Sequence, residues 1–358
     1  MRTRTKKSGS VLLGLLVVAG LALSGCGSEE KTVGAEDLRG SSITVATHDS
    51  WAMSEDVLKK FTDQTGITVK IATNGDGGTL TNKLVLTKDA PIADGVFGID
   101  NTFATRAIDE GVLAPYTPLV SAASLQQYRV PDQADTFLTP VDYGDVCVNV
   151  DDAWFAAKKL TPPKTFEDLV DPAYKGLLVT PGANTSSPGL AFLLATIGTY
   201  GDGWKGYWEK LLANDVKITA GWSDAYQVDF TAGGGDGDRP VVVSYSSSPP
   251  FTIPEGGTKP TTSALLDTCF RQVEYAGVLK GAKNALGMQK FIDFMTGPDF
   301  QAALPENMYV YPVNDTVQLP ADWAKFAPVA PKPVEVAAAE ITENRESWLT
   351  DWRELTTR

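Results

Sequence analysis

The sequence predicts an α/β protein of two lobes, each a mainly parallel sheet flanked by helices, joined by two crossing segments. Three observations support this prediction. From Ser42 onward, short runs rich in β-branched residues alternate with amphipathic stretches of helical period, a pattern typical of parallel sheets with covering helices. The 318 residues from position 41 to 358 exceed one comfortable hydrophobic core. Two extended segments, Asp142–Val148 and Thr268–Ala276, stand on either side of a second α/β run.

The first lobe is predicted to alternate strands and helices, and the loops after its strands hold candidate ligand contacts. In parallel sheets, the loops that leave the carboxyl ends of neighbouring strands form the ligand crevice. Here those loops contribute the candidates His48, Asp49, Asp76 and Asp100. The predicted elements are a strand at Ile43–Ala46, a helix from Ser54 to Gly66, a strand at Ile67–Ile71, a helix at Thr79–Thr87, a strand at Gly95–Ile99 and a helix at Thr102–Glu110.

The second lobe is predicted from apolar strands around Val179, Ile218 and Val241–Val243, with a helix after Pro188. Further helices are predicted around Gln289–Met295, Phe300–Leu304 and Glu340–Leu355, the last with an amphipathic pattern. The predicted organisation is lobe 1 at residues 41–142 and 272–320, lobe 2 at residues 143–271, and a C-terminal helical segment at residues 321–358 with no lobe assigned.

The N-terminus has the pattern of a bacterial lipoprotein signal. Four basic residues come first, and an apolar run from Val11 to Leu23 follows, which at 13 residues is shorter than the roughly 20 of a spanning helix. Leu23-Ser24-Gly25-Cys26 resembles a lipobox, in which the cysteine is lipidated. We therefore predict a signal peptide at residues 1–25, and a lipidated Cys26 with a flexible linker at residues 26–40. A plain signal peptide is the alternative.

The chain is acidic and has few cysteines. Its net charge is −13, and loss of residues 1–25 would make it −17, because that segment carries four positive charges and no negative one. Such a surface disfavours nucleic acid and anionic lipid as partners and is compatible with a cationic ligand. Beyond Cys26, the pair Cys147 and Cys269 favours a disulfide in an exported protein, with two small buried hydrophobes as the alternative.

Motifs for catalysis are missing from the sequence. The chain has one histidine, His48, and no nucleophile elbow, phosphate loop, zinc-protease or paired-cysteine motif. The run at residues 233–238 has the composition of a solvated turn, without the lysine of a phosphate loop or the terminal Glu of a calcium loop. We expect no catalytic residue, metal or cofactor. The 44 acidic residues leave open an extracellular hydrolase with paired carboxylates.

Seven short segments, in this order and spacing, resemble a known family. They are Thr47–Trp51, Gly98–Asn101, Asp142–Gly144, Thr185–Leu190, Gly221–Tyr226, Ser244–Pro249 and Tyr311–Val313. With Trp348 and Trp352, they resemble the thiamine-binding proteins of bacterial ABC uptake systems across residues 42–358. The resemblance implies a monomer with a type II periplasmic-binding fold. Such a protein holds thiamine or a phosphate ester of thiamine between its lobes and delivers it to a permease and its ATPase.

The resemblance also assigns individual residues. The positions that contact the two rings of thiamine fall on Trp222, Tyr245, Tyr309 and Phe251. The carboxylate near the cationic end falls on Asp76, and the hydroxyl on the phosphate side falls on Ser186. These residue types suit the ligand, since aromatic faces bind a flat cation by about 0.5–2 kcal/mol each and helix N-termini bind anions.

Two positions depart from the family pattern, and other ligands remain open. His48 and Phe251 stand where tyrosines are expected, and a histidine titrates near about pH 6.5. Ferric iron on the same fold would want oxygen ligands, commonly a tyrosine pair, whereas Tyr245 stands alone in its segment. A polyamine would suit an acidic cleft without needing the helix N-terminus at Ser186. The choice among thiamine, its monophosphate and its diphosphate is open.

Overall fold

The computed structural model describes residues 38–119, 123–131, 133 and 136–357. Within these residues the strands are β1 (Ser42–Thr47), β2 (Thr68–Thr73), β3 (Gly95–Asp100), β4 (Leu113–Ala114), β5 (Thr139–Asp151), β6 (Leu178–Pro181), β7 (Lys217–Thr219), β8 (Val241–Tyr245), β9 (Thr262–Leu279) and β10 (Tyr311–Pro312). The helices are α1 (Glu55–Thr65), α2 (Gly77–Leu86), α3 (Ala104–Asp109), α4 (Ala123–Gln127), α5 (Asp152–Lys158), α6 (Ser187–Tyr200), α7 (Trp204–Ala213), α8 (Ala285–Met295), α9 (Pro298–Met308), α10 (Ala321–Phe326) and α11 (Ala338–Thr356).

Helix boundaries follow the local chemistry of the sequence. Helix α1 buries Val57 and Phe61 on one face and ends at Gly66, whose φ of 76° only glycine adopts without strain. Ser54 occupies its N-cap position as predicted, but the Ser54 side chain makes no capping hydrogen bond. Helix α6 starts one residue before Pro188, because proline suits the first turn of a helix, where its missing N–H would have no partner.

The strands form one continuous mixed sheet in the order β2-β1-β3-β9-β5-β8-β6-β7, and the short strands β4 and β10 pair with β9 and β5. The first half of the sheet, β1 to β3, is parallel, and so is the second half, β6 to β8. The long strands β5 and β9 run antiparallel between the two halves, with β9 beside β3 and β5 beside β8. Both predicted crossing segments therefore lie within these strands. Because the crossing strands pair with each other, the two predicted sheets are joined into one.

The two crossing strands are also linked covalently. A disulfide joins Cys147 on β5 to Cys269 on β9, and both residues are buried. The ladder between the strands is irregular at this point, because Val146 pairs with Phe270 while Val148 pairs with Leu265. The disulfide thus connects β5 and β9 where their backbone hydrogen bonding is interrupted.

The C-terminal segment contacts both halves of the sheet. Trp352 on α11 lies edge-on to Trp208 on α7, with ring centroids 5.5 Å apart, in the second half. Arg345 of the same helix donates a hydrogen bond to the carbonyl of Thr102, after β3 in the first half. No described helix has the length and apolar character needed to cross a bilayer. The predicted signal peptide and Cys26 lie outside the described residues.

Candidate functional site

A cavity of about 250 Å³ lies where loops from the two halves of the sheet meet the crossing strands. This volume is slightly below the roughly 300–1,000 Å³ common for small-molecule pockets. The lining residues come from the loops after β1 and β2, the end of β8, the start of α6, the segment after β7, strand β9, and the end of α9 with the residues after it. They are His48, Ser50, Ala52, Asp76, Ser187, Pro188, Trp222, Gln227, Tyr245, Gln272, Glu274, Glu306, Asn307, Met308, Tyr309 and Val310.

Asp76 is the N-cap of α2 and connects the two halves of the sheet at the cavity. Its Oδ1 accepts the N–H of Gly77 at 2.6 Å and the N–H of Ser187 at 3.3 Å. Its Oδ2 accepts the N–H of Trp222 at 2.9 Å. Gly77 belongs to the first half, whereas Ser187 and Trp222 belong to the second. The carboxylate therefore lines the cavity and also holds its two walls together.

Three of the four aromatic residues that the family resemblance assigned to the ligand line the cavity. The indole of Trp222 donates to the hydroxyl of Ser244 at 2.9 Å and lies perpendicular to the ring of Tyr309, with centroids 6.1 Å apart. Tyr245 lies 6.4 Å from Trp222 between ring centroids. An added Cβ on Gly144 would lie 2.6 Å from the Tyr245 ring, so this glycine lets the ring lie directly against β5. The arrangement offers aromatic faces and edges to a flat ligand.

Phe251 supports Tyr309 rather than lining the cavity. The two rings stack at an interplanar angle of 20°, and Phe251 also packs edge-on to Trp323. Tyr309 has a φ of 62°, a left-handed conformation that is rare for a bulky residue. Its carbonyl accepts a hydrogen bond from Ser247. Stacking and hydrogen bonding hold Tyr309 in this conformation, which directs a side chain at the end of α9 into the cavity.

His48 and Glu274 lie next to each other in the cavity lining. His48 Nε2 lies 3.3 Å from Glu274 Oε1, and both side chains are buried. Burial alone would lower the pKa of His48, but the charges of Glu274, Asp76 and Asp49 together raise that pKa above its ordinary value. Asp49 itself is exposed and is absent from the lining residues. A protonated His48 would form an ion pair with Glu274.

The start of α6 places Ser187 and Pro188, rather than Ser186, at the cavity. Ser186 is fully buried and caps its own helix, because its hydroxyl accepts the N–H of Gly189 at 3.3 Å. The hydroxyl of Ser187 donates to Asp100, which is also fully buried and does not line the cavity. Burial raises the pKa of Asp100 to about 6, against the opposing effect of the hydrogen bonds from Ser187 and Thr102.

Two cavity residues on β9 escaped the sequence analysis. Gln272 and Glu274 both line the cavity and are largely buried. They are spaced two residues apart in a segment whose other members are mostly apolar, so they share one face of the strand. That spacing of polar side chains within a predicted buried strand was the signal that could have identified them.

Carboxylates outnumber cationic side chains in the cavity lining. The lining includes the acidic residues Asp76, Glu274 and Glu306, and no described lining residue is lysine or arginine. Burial, with the charges of Glu274 and Asp76, raises the pKa of Tyr245 well above its ordinary value, so this phenol stays neutral. An aromatic and acidic cavity of this kind favours an organic cation.

Known proteins resemble the chain over most of its length. A family model described as bacterial extracellular solute-binding protein matches residues 90–330. The thiamine-binding periplasmic protein of Brucella melitensis is 33% identical over 326 residues, which cover 88% of this chain and 92% of that protein. The thiamine-binding periplasmic protein of Escherichia coli K12 is 32% identical over 323 residues, 88% of this chain and 94% of that protein.

Solved structures agree in fold. A periplasmic thiamin binding protein superposes with a TM-score of 0.77 at 30% identity, covering 88% of this chain and 96% of that one. Iron-bound HitA from Pseudomonas aeruginosa superposes with a TM-score of 0.66 at 19% identity, covering 88% and 99%. The second likeness concerns the fold alone.

Proposed function

Because the chain belongs to the bacterial extracellular solute-binding proteins, a non-enzymatic family, we propose that it captures thiamine or a phosphate ester of thiamine in the cavity. The observation that carries this proposal is the meeting of three aromatic rings with the carboxylates of Asp76 and Glu274. Thiazolium is a flat permanent cation, which stacks on aromatic faces and is attracted by carboxylates, more strongly as water is excluded.

The ligand can be identified by calorimetry on the purified protein. Thiamine, its monophosphate, its diphosphate, a polyamine and ferric citrate are titrated in parallel. We expect saturable binding of at least one thiamine compound, and the rank order shows whether the α6 N-terminus serves a phosphate. A response to ferric citrate or the polyamine, with none to the thiamines, would replace the proposed ligand and leave the family intact.

A matched pair of tryptophan variants tests the aromatic wall. Trp222→Leu removes a face from the cavity and is expected to weaken thiamine binding about 2- to 30-fold, since one cation–aromatic contact contributes roughly 0.5–2 kcal/mol. Trp154→Leu removes a partly buried tryptophan of α5 that does not line the cavity and should leave the affinity unchanged. Equal affinities for the two variants would count against the aromatic site.

Delivery and anchoring complete the proposal. Lobe 1 (residues 41–142 and 272–320) and lobe 2 (residues 143–271) would hinge at the crossing strands, close on the ligand and present a closed surface to a permease with its ATPase. Small-angle scattering profiles that are identical with and without saturating thiamine would contradict closure.

For the anchor at Cys26, we expect the Cys26→Ser variant to leave the membrane fraction; an unchanged distribution would indicate another attachment.

A further inference from the structure

Three carboxyl groups form a row across the middle of the sheet. Glu274 on β9 is paired in register with Asp100 on β3 and, on its other side, with Asp142 on β5. Directly opposed residues of neighbouring strands point to the same face, so all three side chains lie side by side on one face. We call Asp100, Glu274 and Asp142 the carboxyl row. Like charges placed directly opposite one another destabilise a sheet, so the row needs compensation.

Two members of the row have partners that compensate their charge. Asp100 accepts the hydroxyl of Ser187 and the N–H of Thr102, the latter at 2.6 Å. Glu274 lies 3.3 Å from the imidazole of His48 and reaches the cavity.

Asp142 has no such partner. It is fully buried, and neither of its oxygens receives a hydrogen bond from the described residues. An ionised carboxylate in that position would be uncompensated and costly. A proton held between Asp142 and Glu274 gives one Asp142 oxygen a hydrogen-bond partner and removes one negative charge from the row. Burial first, and the charge of Glu274 second, raise the pKa of Asp142 well above its ordinary value, in agreement with that arrangement.

The other titratable groups that act on the row come from several elements. His48 and Asp49 follow β1, Asp76 caps α2, and Tyr245 ends β8. Arg345 of α11 acts on Asp100 from beyond Thr102, and Glu306 lines the cavity at the end of α9. Of these, only His48 titrates near neutral pH in its ordinary state. His48, and Asp100 within the row, whose pKa burial raises to about 6, are therefore the rival sources of a proton released near pH 7.

We propose that Glu274 is the counter-charge of the cationic ligand and that cation binding releases to solvent the proton that Glu274 shares with Asp142. This inference rests on the proposed function, because it assigns the role of Glu274 toward the same ligand. The O–H bond that breaks leaves its electron pair on the carboxyl pair, and the proton passes to a buffer base. A cation beside Glu274 stabilises the ionised pair, so a cation and a proton compete for the same negative charge.

The linkage has a definite sign. Cation affinity rises with pH while the carboxyl pair loses its proton, by at most about tenfold per pH unit for one proton released. A neutral ligand has no such dependence. A thiamine analogue with a neutral thiophene ring in place of thiazolium should therefore bind without proton release. This analogue separates the charge of the ligand from its shape.

Calorimetry of thiamine binding in buffers of different ionisation enthalpy, near about pH 7, counts the released protons. We expect the wild-type apparent enthalpy to depend on the buffer. Asp142→Asn should remove that dependence and flatten the pH profile, because asparagine imitates the protonated acid and leaves Glu274 ionised. Glu274→Gln should weaken thiamine binding about tenfold or more at every pH. Glu209→Gln, an exposed acid on α7, is the matched control and should behave like wild type.

The possible results of these binding experiments distinguish a failure of the proton-release inference from a failure of the proposed function. Thiamine binding with an enthalpy independent of buffer would overturn this inference and leave the proposed function standing. No binding of any thiamine compound would overturn the proposed function and the role of Glu274 with it. Proton release that is lost in His48→Gln but kept in Asp142→Asn would assign the proton to His48 and overturn the inference. Infrared spectroscopy of the ligand-free wild-type protein tests the shared proton without any variant, because a protonated carboxylic acid has its own carbonyl band. Its absence near about pH 7 would exclude the shared proton.

Discussion

At the scale of single residues, Asp76 both lines the cavity and accepts hydrogen bonds from its two walls. We predict that Asp76→Asn lowers the free energy of unfolding by about 1–3 kcal/mol, because an amide cannot accept all three N–H donors of Gly77, Ser187 and Trp222. The same variant should lower thiamine affinity, since it removes a charge from the cavity wall. Chemical denaturation and calorimetry measure the two effects separately.

Asp94 supplies a matched control for this prediction. It is similarly buried and accepts backbone N–H groups from Thr44 and Asn284, both at 2.8 Å, but it does not line the cavity. Asp94→Asn should cost comparable stability and leave thiamine affinity unchanged. Equal losses of affinity in Asp76→Asn and Asp94→Asn would mean that the charge of Asp76 does not act on the ligand.

Gly98 gives a second prediction at this scale, because it makes room for His48. Its φ is 97°, and an added Cβ would run into the imidazole ring. Gly111 has a φ of 68° with open space around it, so Gly111→Ala strains only the backbone. We expect both alanine variants to lose about 1–2 kcal/mol of stability, and Gly98→Ala alone to weaken thiamine binding by displacing His48. Unfolding curves and binding isotherms of both variants check this; unchanged binding by Gly98→Ala would show that His48 has no part in the site.

Sequence reasoning found the residues whose chemical type is distinctive, and missed those whose environment makes them unusual. Trp222, Tyr245 and Tyr309, which the family resemblance assigned to the ligand, line the cavity. Glu274 escaped because a single acid in a strand looks ordinary until the register places it between two others. Register is a property of strand pairing over long sequence distances, which no local pattern specifies.

At the scale of elements, the crossing strands are held by a disulfide where their ladder is irregular. We predict that reduction of Cys147–Cys269, or replacement of both cysteines by alanine, lowers the free energy of unfolding by about 2–4 kcal/mol. Neither cysteine lines the cavity, so thiamine affinity should be retained. Denaturation with and without reductant measures the effect, and the double alanine variant should not respond to reductant. An effect of reductant on that variant would refute the assignment to this bond.

Element types were predictable, whereas their limits and partners were not. The predicted strand at Ile67–Ile71 is Thr68–Thr73, and the predicted helix at Thr79–Thr87 is Gly77–Leu86. Both shifts occur where a cap or a pairing partner, rather than propensity, decides the boundary. The union of the sheet through β5 and β9 depends on contacts between distant segments, so the apolar pattern of each strand did not indicate it.

At the scale of the whole molecule, buried acids make stability depend on pH in an unusual direction. Burial raises the pKa of Asp100 from 3.8 to about 6, so between these values the folded state binds more protons than the unfolded state. The contribution of Asp100 to the free energy of unfolding is fully present below about pH 4 and is lost as pH rises through about 6. The rise in the pKa of Asp100 corresponds to a change of about 3 kcal/mol in the free energy of unfolding. The pKa of His48 is also raised, so the contribution of His48 to stability likewise falls as pH rises.

Asp100→Asn isolates this contribution. We predict that the stability of wild type relative to Asp100→Asn falls by up to about 3 kcal/mol between about pH 4 and pH 7. Urea denaturation of both proteins across that range measures the difference, in which the titration of groups that do not interact with Asp100 cancels. A difference that grows with pH would show that Asp100 is not a buried acid of raised pKa.

The position of β9 in the sheet bears on the order in which the chain becomes native. Gly95 on β3 pairs with Val278, so the first half of the sheet lacks a neighbour until Thr262–Leu279 has been made. Contacts of such long sequence separation form slowly, because a large loop must close first. A chain that ends at residue 261 should therefore show no cooperative unfolding transition. Because the sheet is completed late, a nascent chain stays incompletely folded until Leu279 at the end of β9 has been made.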